Sequence, residues 1–151
     1  MSQSRDSSMN VRLENQLCFP LYVCAKEAVR QYRKPLEKLG LTYTQYVVLM
    51  AFWEHGSMTE GTLGRIVHLD SGTLSPLLKR LEKQRLVRRI RSEANERTLW
   101  IELTEAGSAL KQSALQVSDE IEAYQQLPIE EYHQLKELLN RAMKRMKAAN
   151  K

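Results

Sequence analysis

From Leu17 onward, apolar residues recur every three or four positions: Leu17, Leu21, Ala25, Ala28, Val29 and Tyr32. That spacing lines one face of a helix and predicts a first helix over residues 15–38. A polar tail, residues 1–10, precedes it. Proline fits the first turn of a helix and is costly in its interior. The regular helix is therefore expected to start near Cys18, with Pro20 in its first turn and Pro35 near its other end. Thr42 precedes a second run, TQYVVLMAFWEHG, which Gly56 ends. Ser57 or Thr59 then opens a short helix over Glu60–Val67. After a tight HLD turn, Asp70 or Ser71 supplies the N-cap oxygen of a helix through Gln84. Pro76 should distort that helix slightly. Two short helices joined by so short a turn make a helix-turn-helix outline.

After Leu86 the period changes from helical to alternating. VRRIR and RTLWIEL read as strands, with Leu99, Ile101 and Leu103 opposite in face to Thr98, Trp100 and Glu102, and the polar SEANE is the hairpin tip. Thr104 with Glu105 begins another helix, expected to run to about Gln126 before Pro128. A last helix, about Ile129 to Ala148, lines up Ile129, Tyr132, Leu135, Leu139, Ala142, Met143 and Met146. The predicted class is mainly α with a small β-hairpin wing, a winged helix-turn-helix. One domain spans residues 1–151, with residues 41–104 as a DNA-binding unit. Residues 11–38 and 105–149 form flanking helices whose apolar stripes expect a second copy of the chain. Burial of those stripes within the same chain is the alternative.

Charge sharpens this picture. The 151 residues carry a formal net charge of +5. Eight basic and three acidic residues between Lys79 and Arg97 account for all of it. Such a patch fits a polyanion, with a solvated charged face as the plain alternative. A helix of the size of 71–84 fits the major groove. Candidate DNA contacts are Ser71, Thr73 and Ser75 through hydroxyls, Lys79 and Arg80 through charge, and Arg88, Arg89, Arg91 and Arg97 along the wing. No apolar run approaches the roughly 20 residues that span a bilayer, and the polar N-terminus lacks a secretory core. A cytoplasmic location is expected, where two cysteines stay reduced. The three histidines have no metal-ligand spacing, no cofactor motif is present, and Trp53, Trp100 and the methionines are expected in the core.

Two cysteines remain. Cys24 lies six residues beyond Cys18, about 9 Å of helical rise and on another face, so the pair is out of disulfide reach. Cys24 reads as a packed hydrophobe. Cys18, in LENQLCF, reads either as the same or as a reactive thiol. Here the chain resembles a known family. HLDSGTLSPLLKRLEKQRLVRR with NERTLWIELTEAG resembles the MarR family of dimeric winged-helix repressors. LENQLCF, QYRKPLEKLGLTYTQY and WEH resemble its OhrR branch, the organic-hydroperoxide sensors of one-cysteine type. The resemblance covers about Leu13 to Gly107. It implies that Cys18 is the peroxide sensor, that Tyr32 and Tyr43 hydrogen-bond to it, and that Arg97 enters the minor groove. The chain departs from the family at Asn95, where an aspartate is usual, and at Pro20.

Cys18 and Tyr32 are 14 residues apart, about 21 Å along a straight helix. They cannot bond within one chain, so if Tyr32 touches the thiol, as the resemblance implies, it must come from the other subunit of an antiparallel pair. A thiol near a helix N-terminus, among hydroxyl donors, is favoured as thiolate. Peroxide converts it to a sulfenic acid, which a small cellular thiol can cap as a mixed disulfide. The expected function is a dimeric, DNA-binding transcriptional repressor, not an enzyme, that releases double-stranded DNA when an organic hydroperoxide oxidises Cys18. Its targets are then peroxide-resistance genes. Alternatives are a MarR-like repressor released by a small phenolic ligand, a broader redox-responsive stress or virulence regulator, and a thiol peroxidase. The last leaves the arginine-rich hairpin unexplained.

Overall fold

Proline chemistry sets where the first helix begins. Helix α1 runs Cys18–Glu37, and Pro20 sits in its first turn, where no intrahelical N–H is lost. A single 3-10 turn, Leu13–Asn15, precedes it. The computed structural model describes residues 11–91, 98–121 and 127–149. The order continues with α2 (Tyr43–His55), β1 (Met58–Thr59), α3 (Glu60–Val67), α4 (Ser71–Lys83), β2 (Val87–Arg91), β3 (Leu99–Leu103), α5 (Glu105–Glu120) and α6 (Ile129–Ala149).

Local chemistry accounts for most of these boundaries. Thr42, Thr59, Asp70 and Thr104 each cap a helix by accepting a backbone N–H from three residues on. At Thr42 the cap is reciprocal, because the Gln45 side chain also accepts the Thr42 N–H. Three helices end with a left-handed residue: Gly40, His68 and Arg85. After each, a leucine N–H reaches back five residues, from Leu41 to Leu36, Leu69 to Gly64 and Leu86 to Leu81, at 3.0–3.1 Å. These closures satisfy carbonyls that a helix end leaves open.

The sheet has three antiparallel strands in the order β1-β3-β2. Val87 lies opposite Leu103, Arg88 opposite Glu102 and Ile90 opposite Trp100. Strand β1, pairing Met58 with Ile101, is not anticipated by the sequence, since two residues are too few to show an alternating pattern. The core joins α2, α3, α4 and the sheet: Val48, Leu49, Phe52, Leu63, Leu74, Leu78, Leu81 and Ile101 are all buried. Pro76 does not interrupt α4.

Several expectations change. Helix α5 stops at Glu120, short of Gln126, because Ile121 turns extended and buries its side chain in the core. Met58 is buried, but Trp100, Met50, Met143 and Met146 are exposed on the single chain. Cys24 is exposed on α1 instead of packed. The apolar residues of α6 are not covered by the chain itself: the helix has no buried residue, and Ile129 and Met146 are 67% and 54% exposed. Among the described residues no helix is long and apolar enough to cross a membrane.

Candidate functional site

Helix α4 is amphipathic in a way that leaves one face for a ligand. Leu74, Leu77, Leu78 and Leu81 turn inward and are buried. Ser71, Thr73, Lys79 and Arg80 are on the exposed side. Its N-terminus is held by Asp70, whose carboxylate accepts the Thr73 N–H at 2.9 Å and the Thr73 hydroxyl at 3.0 Å. Those two bonds, the backbone one first, hold the Asp70 carboxyl below its ordinary range. Thr73 therefore spends its proton on the cap and presents lone pairs outward. Ser75 is half-buried and donates its hydroxyl to the Glu60 carboxylate of α3. That bond braces the two helices, and nothing local in the sequence signals it, because the partners are 15 residues apart.

The wing arginines divide by position. Arg88 is exposed and paired across the hairpin with Glu102. Arg89 points back toward α4, with its Nε 3.6 Å from Glu82. Its Nε and Nη2 are shielded and donate no hydrogen bond among the described residues, and the ion pair with Glu82 ties β2 to α4. Arg91 is exposed at the end of β2. Arg97 and Asn95 lie outside the described residues. Lys79, Arg80, Arg88 and Arg91 are thus exposed cations, following α4 and the start of the wing.

The thiol and the tyrosines occupy opposite ends of α1. Cys18 is the first residue of the helix and is exposed. Tyr32 lies near the other end, half-buried, with its ring 5.0 Å from that of Tyr43 in an edge-on arrangement. Tyr46 continues the cluster at 6.0 Å from Tyr32, and Trp53 lies 6.2 Å beyond Tyr46. Trp53 is fixed by its indole N–H, which donates to the Gly107 carbonyl at 2.9 Å. The structure therefore brings the Tyr32 and Tyr43 rings together. It does not bring Cys18 to them within one chain. The continuous helix between them makes the separation about 21 Å.

A groove of about 370 Å³ runs between α2 and α5, lined by Tyr46, Met50, Trp53, Lys111, Ala114 and Leu115 among others. It is mainly apolar, with the opposite charges of Lys111 and Glu54 both among its lining.

Comparison with known proteins places these features in context. The family model for the transcriptional regulator SarA/Rot matches residues 30–114. The organic hydroperoxide resistance transcriptional regulator of Bacillus subtilis is 45% identical over 130 residues, covering 86% of this chain and 88% of that protein. Among solved structures, reduced AbfR bound to DNA shares 36% identity with a TM-score of 0.72, covering 92% of this chain and 97% of that one. Overoxidized AbfR bound to DNA shares 34% with a TM-score of 0.73, covering 92% and 98%. AbfR is a protein of Staphylococcus epidermidis.

Proposed function

From the premise that this chain belongs to the SarA/Rot family of transcriptional regulators and to the OhrR-like branch of the MarR class, we propose a redox-controlled repressor. It works as a homodimer on double-stranded DNA and releases it when an organic hydroperoxide oxidises Cys18. Residues 41–104 are the DNA-reading unit, and residues 11–38 with 105–149 are the pairing segments. The contacts to DNA come from Ser71, Thr73, Lys79 and Arg80 on α4 and from Arg88, Arg91 and Arg97 on the wing. Ser75 and Arg89 support that surface from behind.

One observation carries the reading: Cys18 opens α1, while the Tyr32–Tyr43 pair lies toward that helix's far end, Tyr32 on α1 and Tyr43 at the start of α2. Two copies of α1 lying antiparallel complete the site twice, each thiol meeting the other chain's phenols. The exposed surface supports pairing. Helix α6 has no buried residue, and its Leu135, Leu138 and Leu139 are 45%, 54% and 42% exposed, an uncovered apolar face of the kind that a second copy covers.

The chemistry follows from the thiol. The Cys18 thiolate attacks the outer peroxide oxygen, forming an S–O bond as the O–O bond breaks and an alcohol leaves. A small cellular thiol then attacks the sulfenic sulfur, forming a disulfide and expelling water. The adduct is far bulkier than a thiol, displaces the phenols, and shifts the pairing helices that hold the reading heads in register. Since overoxidized AbfR is bound to DNA, the bulky adduct rather than added oxygen is the releasing form in this reading.

The test is a DNA gel shift with reduced and cumene-hydroperoxide-treated protein, with a small thiol present and intact mass recorded. The parent protein should lose its DNA as the adduct appears, and Cys18→Ser should retain it. Continued release from Cys18→Ser would instead favour a second reading, supported by the groove between α2 and α5: an aromatic acid, its ring among Tyr46, Met50 and Trp53 and its carboxylate near Lys111, acts as the inducer.

A further inference from the structure

The corner between α1 and α2 is bonded to the far end of α4 by two glutamine side chains. Gln45 is only 6% exposed, the one buried polar side chain among the described residues. Its Oε1 accepts the Thr42 N–H at 2.9 Å, which leaves its amino group facing Gln84. Gln45 Nε2 donates to Gln84 Oε1 at 3.2 Å. Gln84 Nε2 then donates to the Gly40 carbonyl at 2.9 Å. Each amide is oriented by the one before it, since a backbone N–H can only donate and a carbonyl can only accept.

The positions that this chain joins are those that carry the signal and those that read DNA. Tyr43 directly follows Thr42 and begins α2. Gln84 is the C-cap of α4. The next two residues hold the root of the wing: the Arg85 carbonyl accepts the Thr104 hydroxyl at 2.6 Å, and the Leu86 carbonyl accepts the Thr104 N–H at 3.0 Å. A displacement of the tyrosine corner therefore pulls on the end of the DNA helix and on the base of the hairpin through the same three residues. Gln45 is buried and Gln84 exposed, so the link runs from the core to the surface, and the direction of its hydrogen bonds fixes relative position as apolar contact does not.

We propose that Gln45 and Gln84 are positioning residues that transmit movement of the Tyr32–Tyr43 pair to α4 and the wing. This rests on the sensing reading above. Two variants at Gln84 test it. Gln84→Met keeps length and removes both bonds. Gln84→Glu accepts from Gln45 but cannot donate to Gly40. In both, reduced protein should bind DNA within about threefold of the parent, and intact mass should show Cys18 forming its adduct at the parental rate. The weakening of DNA binding on oxidation should shrink by roughly tenfold, within the range of ordinary coupling between sites. An undiminished weakening in both variants overturns the linkage. So does a lower reduced-state affinity with an unchanged ratio, which marks a merely structural contact. Parent protein that keeps its DNA after the adduct forms overturns the sensing reading, and the linkage with it.

Discussion

Asp70 holds the exposed start of α4 with two bonds from Thr73, and its carboxyl is lowered by them. A depressed carboxyl stabilises the fold fully above its unfolded value, and that contribution is lost as pH falls through the folded one. Acidification well into and below the ordinary carboxylate range should therefore weaken the cap as Asp70 protonates. Asp70→Asn, which caps comparably without titrating, should match the parent at neutral pH and lose less stability on acidification. Thermal melting from pH 6 down to pH 2 checks this; parallel acid profiles for the two proteins would show that the cap is not the titrating element. Asp70 as a cap is legible in the sequence, because the preference is local. The inward turn of Ser75 and Arg89 is not. Both look like exposed DNA contacts until the neighbouring element supplies Glu60 or Glu82.

Helix ends show a similar division. Gly40 announces a left-handed stop, since glycine takes that conformation without strain. His68 and Arg85 take it as well, and their residue types give no warning. The junction of the wing with α5 depends on a different glycine. A Cβ on Gly107 would stand 2.0 Å from the Leu86 carbonyl oxygen and 3.0 Å from its carbon. Both are backbone atoms, so no side-chain rotation relieves the clash. Gly107→Ala should destabilise the protein by about 3 kcal/mol or more, the upper end for overpacking. The urea midpoint measures it, and a parental midpoint would mean that α5 slides freely against the end of α4. The sequence contains this glycine in TEAG, but only the fold shows what lies against it. Strand β1 and the early stop of α5 at Glu120 escape sequence reading for a related reason. Both are set by partners distant in the chain, Ile101 for the strand and the core around Ile121 for the helix.

At the scale of the whole molecule, the winged helix-turn-helix and its basic stretch are readable from period and charge, because both are repeated features. The uncovered stripes of α1 and α6 are readable too, but what covers them is not written in one chain's pattern. On the proposed reading, Leu139, 42% exposed on α6, lies in the pairing surface. Leu139→Glu should give a monomer by sedimentation. It should also weaken binding to a two-half-site operator by roughly a hundredfold, the loss expected when linked sites act singly. Dimers of parental tightness would move the interface elsewhere. The placement of Cys18 and Tyr32 at the two tips of one rod then has a further consequence. If the proposed reading holds, a lone subunit carries both parts of the detector and cannot use them, so newly made chains are deaf to peroxide until they find a mate. The alarm reaches only molecules already able to sit on the operator.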